Sequence, residues 1–189
     1  NSESMKAEFI TSSKNDIDNY LLSKTRIFVE KITLAMDAND SFEACALVES
    51  HLDILTNWFI RRSRERFWRH EKDEDKQLAY NTLYTVLELL TRATAPLMPL
   101  LCEKIWQGLH YEAMQVDASL SIHLTNWPLV DAQKIVLNEK LIESMDKVRD
   151  VCSNALSSRR AQNLRTRLPL NELIVAGPQA DLIKGFEEI

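Results

Sequence analysis

The densest chemistry in this chain lies in Asn57-Trp58-Phe59-Ile60-Arg61-Arg62-Ser63-Arg64-Glu65-Arg66-Phe67-Trp68-Arg69, where five arginines fall within nine residues and four aromatics are interleaved with them. A guanidinium presents a planar fork of donors that fits phosphate oxygens, and the flat faces of Trp and Phe are platforms for unpaired bases. Together these are the parts for binding structured RNA, set near a helix end whose partial negative charge favours cations. Arg61, Arg62, Arg64 and Arg69 are candidates for phosphate or base contacts, and Trp58 or Trp68 for stacking. Arg66 lies one heptad after Phe59 and two after Leu52, so it can turn inward to a buried acceptor as well as outward to phosphate. A second basic group, Arg159-Arg160 with Arg165-Thr166-Arg167, offers further phosphate contacts, which position more than they specify. The same residues also suit a structural role: arginines at a helix end can pair with Glu71, Asp73, Glu74 and Asp75, aromatics at these spacings fill cores, and Arg159 to Arg167 can be a solvated connector.

Catalytic chemistry finds little support. Of the four histidines, His51, His70, His110 and His123, none stands four residues from another or in a Glu-x-x-His arrangement, and no Gly-x-Ser-x-Gly nucleophile motif exists. Only three glycines occur where average usage would give about 13. A phosphate-cradling glycine loop or a dinucleotide fingerprint therefore cannot be built. Cys45, Cys102 and Cys152 lie about fifty residues apart, which argues against a zinc site and a disulfide framework; each sits among apolar neighbours and reads as a small buried core residue. A net charge of −5 does not oppose RNA binding, because a local basic patch supplies the electrostatic footprint.

The elements that must carry these residues are helices. The chain has 189 residues, 45% apolar and 27% charged, and no apolar run near the roughly 18 residues a membrane span needs. Residues 1–14 read as a loose polar lead-in. Asn15 or Asp16 can cap a helix to about Ala38 with Ile17, Leu21, Phe28, Ile32 and Ala35 on one stripe. A second helix runs from about Phe42 to Arg69, with Phe42, Cys45, Leu52, Leu55 and Phe59 inward, followed by a charged connector from Glu71 to Asp75. The third, about Asp75 to Thr94, carries Tyr80, Leu83, Tyr84, Leu87 and Leu90, and must end or kink at Pro96 and Pro99. Pro99 opens a fourth segment lined by Leu101, Ile105 and Leu109. The pattern from His110 to Pro128 is irregular, with Ser121 to Pro128 as an extended closing piece. A fifth helix spans about Asp131 to Ser158, and Leu173-Ile174-Val175-Ala176 is the one strand. The expected fold is mainly α, an antiparallel helical bundle with a short C-terminal α/β appendage: 15–130 the bundle, 131–189 the start of a C-terminal junction region. A chain that begins at Asn1 and stops just after an unpartnered strand reads as a piece of something larger.

Asn57 to Trp68 resembles the Asn-Trp-Tyr-Ile-Arg-Arg-Ser-Arg-x-Arg-Phe-Trp signature of the anticodon-binding helical domain of isoleucyl-tRNA synthetases. Asp18-Asn19-Tyr20-Leu21-Leu22-Ser23-Lys24 is similar to that family's Asp-x-Trp-Ile-Leu-Ser-Arg helix, with Tyr20 in place of the commoner Trp. Tyr80 to Leu87, Ala95-Pro96-Leu97-Met98-Pro99, Ser121-Ile122-His123-Leu124 with Trp127-Pro128, and Arg165 to Leu170 agree in order and spacing. The resemblance spans about residues 15–178. It implies a domain that binds the anticodon stem-loop of tRNA(Ile) with Trp58, Arg61, Arg62, Arg64, Arg66, Trp68, Arg69, Arg159, Arg160, Arg165 and Arg167 as tRNA-binding candidates. It also implies a monomeric cytoplasmic parent ligase with no membrane partner, whose remaining domains activate isoleucine with ATP and Mg and edit mischarged valine. Zn is a further cofactor candidate for that parent, and none is implied for this segment. Neither the His-Ile-Gly-His nor the Lys-Met-Ser-Lys-Ser type signature occurs in the 189 residues, so the segment alone is expected to be inactive. The anticodon-binding domain of valyl-tRNA synthetase and a helical interaction module without RNA are the alternatives.

Overall fold

The computed structural model describes residues 6–71, 73–114, 121–177 and 180–186, excepting the side chains of 111–114. Lys72 of the charged connector, the first five residues of the lead-in, part of the irregular stretch after His110 and Pro178 beyond the expected strand lie outside the described residues. The chain divides into two compact units, 1–137 and 138–189. Among the described residues the structure is helical without strands, and no helix is long and apolar enough to cross a membrane.

In the first unit, α1 (Asp16–Asp37) is the central helix, and it packs on α2 (Ser41–Asp53), α4 (Glu74–Thr94) and α6 (Leu129–Gln133). Its Tyr20, Leu21, Leu22, Phe28, Val29 and Ile32 are all buried, so it presents apolar surface on more than one side. Asn15 caps it, accepting from the Ile17 N–H. With almost no glycine available, the chain stops α1 with Asn39 in the left-handed region (φ 55°). There the Asn39 and Asp40 N–H groups return to the carbonyls of Met36 and Ala35, a Schellman closure. Asp40 then serves twice, since its side chain accepts from the Glu43 N–H to cap α2. This reversal makes α1 and α2 antiparallel neighbours.

The helix expected over 42–69 is interrupted. After α2 comes a π-helical segment, Ile54–Ile60, and then the five-residue α3 (Arg64–Trp68). The Thr56 hydroxyl donates to the carbonyl of Leu52 at 2.7 Å, a back-bond of the kind that loosens an α ladder. The inward face also differs: Ala44, Val48, His51, Leu55 and Phe59 are buried, whereas Phe42 is 85% exposed and Cys45 and Leu52 are exposed. Of the three cysteines expected in the core, only Cys102 is buried; Cys152 is partly exposed. In α4 the buried face is Ala79, Thr82, Val86, Leu89 and Ala93 together with the expected Leu90, while Tyr80, Leu83, Tyr84 and Leu87 are half-buried.

Pro99 opens α5 (Pro99–Met114) as expected. Cys102 and Trp106 face inward, with Ala95 and Ile122, while Leu101 and Ile105 are exposed. The extended piece expected at 121–128 is instead a 3-10 turn, Ile122–Leu124, held because Glu103 accepts from the Ser121 hydroxyl and the Ile122 N–H. Closure comes from Trp127, whose indole N–H donates to the Thr33 hydroxyl of α1 at 2.8 Å. Arg92 joins α4 to α6, reaching Glu88 at 2.9 Å and Asp131 at 2.7 Å.

The described lead-in is not loose. Lys6 to Ile10 runs along α4, where Gln77 donates to the Lys6 carbonyl, and Asn81 and Thr85 accept from the Glu8 and Ile10 N–H groups. Alternate residues of an extended chain step about 6.6 Å and four helical residues about 6 Å, so the two rows stay in register.

In the second unit, α7 (Glu139–Ala161) is capped by Asn138 and ends in another Schellman closure at Asn163 (φ 54°). Leu173 to Ala176, expected as a strand, is irregular chain bordering an open groove along α7. No second strand among the described residues offers it the ladder partner its backbone groups require.

Candidate nucleic-acid interface

Between Phe59 and Arg69 the π turn and α3 sort the arginines into two populations. Arg66 points inward and is 8% exposed. Its two terminal nitrogens donate to the two carboxylate oxygens of Asp18 at 2.7 and 2.9 Å, one of them also to the Asp75 carbonyl at 3.1 Å, and Asp75 adds an ion pair at 2.9 Å. Burial opposes its charge, but the hydrogen bonds and the attraction of Asp18, then of Asp75, outweigh that and raise its pKa. Arg66 therefore belongs to the interior of the first unit and is corrected from a tRNA-contact candidate to a structural cation.

Arg61, Arg62 and Arg64 are exposed and have no carboxylate partner among the described residues. The Arg64 guanidinium stacks 4.1 Å from the Trp68 ring centroid, and Trp68 is 70% exposed, the most open aromatic of the segment. Trp58 is buried, with the Arg62 guanidinium 5.4 Å from its ring centroid on the outer side, so it is a core residue and not a base platform. Arg69 is exposed but pairs with Asp73 at 2.6 Å. Its hydrogen bond and attraction to Asp73 raise its pKa, and Asp73 is held below the usual carboxylate range first by the Lys76 N–H and then by Arg69. The expected salt-bridged helix end thus exists for Arg66 and Arg69, and three cations with one open indole remain beside it.

The second basic group is organised by one of its own members. Arg159 donates to the carbonyls of Arg165 (3.2 Å), Thr166 (2.7 Å) and Leu168 (2.7 Å), tying the turn after α7 to the helix. Its donors are spent on backbone, whereas Arg160, Arg165 and Arg167 are exposed without a carboxylate partner among the described residues. Sequence reasoning missed Asp18 as the acceptor for Arg66. The available signal was its position three residues before Leu21, where a carboxylate on an apolar stripe needs a cation. Among the described residues no group of three His, Cys, Asp or Glu is placed to hold a metal ion. Exposed guanidinium groups beside an open indole suit a polyanionic surface.

Residues 18–174 match the family described as the anticodon-binding domain of tRNA ligase. The chain belongs to this family. Isoleucine–tRNA ligase of Wolbachia pipientis wMel is 44% identical over 175 residues, covering 93% of this chain and 15% of that protein. The isoleucine–tRNA ligases of Rickettsia bellii (strain RML369-C) and Leifsonia xyli subsp. xyli (strain CTCB07) are 39% and 44% identical over the whole chain, which corresponds to 18% and 16% of their lengths. This anticodon-binding domain therefore spans less than a fifth of the length of each of these three relatives. The cationic α3 surface and the turn at Arg165 to Leu168 both lie within the matched span.

Proposed function

We propose that this anticodon-binding domain grips the anticodon stem-loop of tRNA(Ile) as part of a cytoplasmic, monomeric isoleucine–tRNA ligase. The observation that carries this reading is the set Arg61, Arg62 and Arg64 beside the open Trp68 ring, cations free of carboxylates next to a stacking face. Arg61, Arg62 and Arg64 take phosphates or base edges, and Trp68 takes an unstacked base. Arg69 adds a cation when a phosphate displaces Asp73, and Arg160, Arg165 and Arg167 supply a second set of phosphate contacts. Trp58 and Arg159 act from behind, one as the floor under Arg62 and the other as the clamp of the basic turn. The chemistry that joins isoleucine to tRNA, with ATP and Mg as the class requires, belongs to the remaining domains of the ligase. With three glycines the chain cannot build a phosphate-cradling glycine loop of its own.

The test is binding of an isoleucine-tRNA anticodon stem-loop, by calorimetry or filter retention, at several salt concentrations. Arg61→Ala with Arg62→Ala is expected to weaken binding and to flatten the plot of log affinity against log salt by about 1.4, two phosphate contacts at single-strand charge density. An unchanged affinity and slope would remove these residues from the interface. Equal affinity for isoleucine and valine anticodon loops would remove the isoleucine assignment.

A further inference from the structure

Arg64, Arg66 and Trp68 occupy a helix of five residues, which is too short to hold its own conformation in water. What holds it is visible. Phe67 meets Phe59 edge-on at 6.1 Å and Tyr80 at 5.2 Å, and Arg66 reaches α1 through Asp18 and the start of α4 through Asp75. Positions two residues either side of Arg66 are rotated about 200° in opposite senses, which places Arg64 and Trp68 together on the face opposite the anchor. The direction in which the stacked pair is presented is therefore set by where the Arg66 guanidinium is gripped.

We propose that Asp18 is a positioning residue for RNA recognition: its buried carboxylate, holding both terminal nitrogens of Arg66, orients α3 so that Arg64 and Trp68 face the RNA together. Asp18 is itself fixed on three sides. It is fully buried, it lies in the first turn of α1, and the Ser13 hydroxyl donates to its second oxygen at 2.8 Å. The Asn19 side chain brackets Ser13 by accepting from its N–H and donating to its carbonyl, both at 2.7 Å. A rigid acceptor of this kind transmits its geometry to a bidentate guanidinium partner, which a single-point cation would not receive. Asp18 touches no RNA in this account; it acts through Arg66.

The proposal rests on the anticodon-binding reading, so the experiment separates the two. The 189-residue chain is titrated with the isoleucine-tRNA anticodon stem-loop across a salt series, well below its melting temperature, alongside Asp18→Asn, Arg66→Lys and Asp75→Asn. Glu88→Gln is the control, because it weakens a partly buried ion pair with Arg92 on α4, an element that carries no member of the proposed contact set. Asp18→Asn and Arg66→Lys are expected to lose about tenfold in affinity, the equivalent of one stacked base, and to flatten the salt slope. Asp75→Asn, which keeps the Asp18 grip, is expected to lose less in both. Glu88→Gln is expected to leave the slope alone whatever it does to the melting temperature, since a change in folded fraction alters amplitude and not the number of phosphates contacted. If Asp18→Asn binds with the wild-type slope, or shifts it no more than Glu88→Gln does, Asp18 is merely structural and the proposal is overturned. Should Asp18→Asn fail to fold, an Arg66→Lys variant that folds and retains the wild-type slope overturns it equally. Failure of the wild-type chain to bind the stem-loop overturns the anticodon-binding reading itself.

Discussion

Arg64 and Arg66 share a helix and a chemistry, yet one faces water and the other a buried carboxylate. The difference was undecidable from the sequence because the helical wheel that places Arg66 runs through Ile54–Ile60, where the ladder is π and not α, and because its partner Asp18 is 48 residues away. His51 shows the same limit. A histidine amid apolar positions gave no sign of its role, and it proves to be a core residue stacked 4.6 Å from Phe28, its Nε2 3.2 Å from the Thr25 hydroxyl. Burial, with a smaller push from Lys24, lowers its pKa from 6.5 to about 3. Between these values the unfolded chain takes up a proton that the folded chain refuses. Stability is therefore full above pH 6.5 and falls as pH drops, by about 1.4 kcal/mol per unit from this group. His51→Gln should show a shallower loss of melting temperature from pH 7 to pH 4 than the wild type. Parallel curves for the two proteins would mean that His51 charges without cost.

At the scale of elements, helix positions and ends were legible where a residue acts locally. Asn15 as a cap and Pro99 as a first helical residue need only their neighbours. In the second and third expected helices Leu55, Phe59 and Leu90 are buried as the spacing predicts, and the prediction fails where the inward positions are Ala44, His51, Ala79, Thr82 and Ala93, which carry little hydropathic signal. Thr82, Thr85, Thr91 and Thr94 are all buried in α4, and the hydroxyls of Thr85, Thr91 and Thr94 are returned to carbonyls one turn earlier. The strand expected at Leu173 to Ala176 rests on an apolar run bounded by Pro169 and by Gly177-Pro178, and such local signals do not supply a pairing partner. The asparagines at the ends of α1 and α7 carry a prediction of their own. Asn39 at φ 55° does what glycine does elsewhere, at the cost of a Cβ in the left-handed region. Asn39→Gly should hold or raise stability, whereas Asn39→Ala should lose about 1 kcal/mol, read from urea unfolding midpoints at constant slope. Equal midpoints for the Gly and Ala variants would show that the left-handed turn is not what limits the α1–α2 reversal.

For the whole molecule, a net charge of −5 leaves local clusters of unpaired cations as the footprint that a polyanion would meet. Among the described residues, the arginines that are exposed without a carboxylate partner are Arg61, Arg62 and Arg64 in the first unit, and Arg160, Arg165 and Arg167 in the second. If both units grip one stem-loop, each set contributes its own released counterions, and the salt dependence counts them. Arg165→Ala with Arg167→Ala should then flatten the slope by about 1.4, as the Arg61 and Arg62 pair does, and combining all four substitutions should flatten it by about twice as much. Additivity is the informative outcome, because counterion release from independent contacts adds. A combined variant no flatter than Arg61→Ala with Arg62→Ala alone would assign the basic turn after α7 to the domain's own architecture, where Arg159 already works, and leave the first unit to bind RNA by itself.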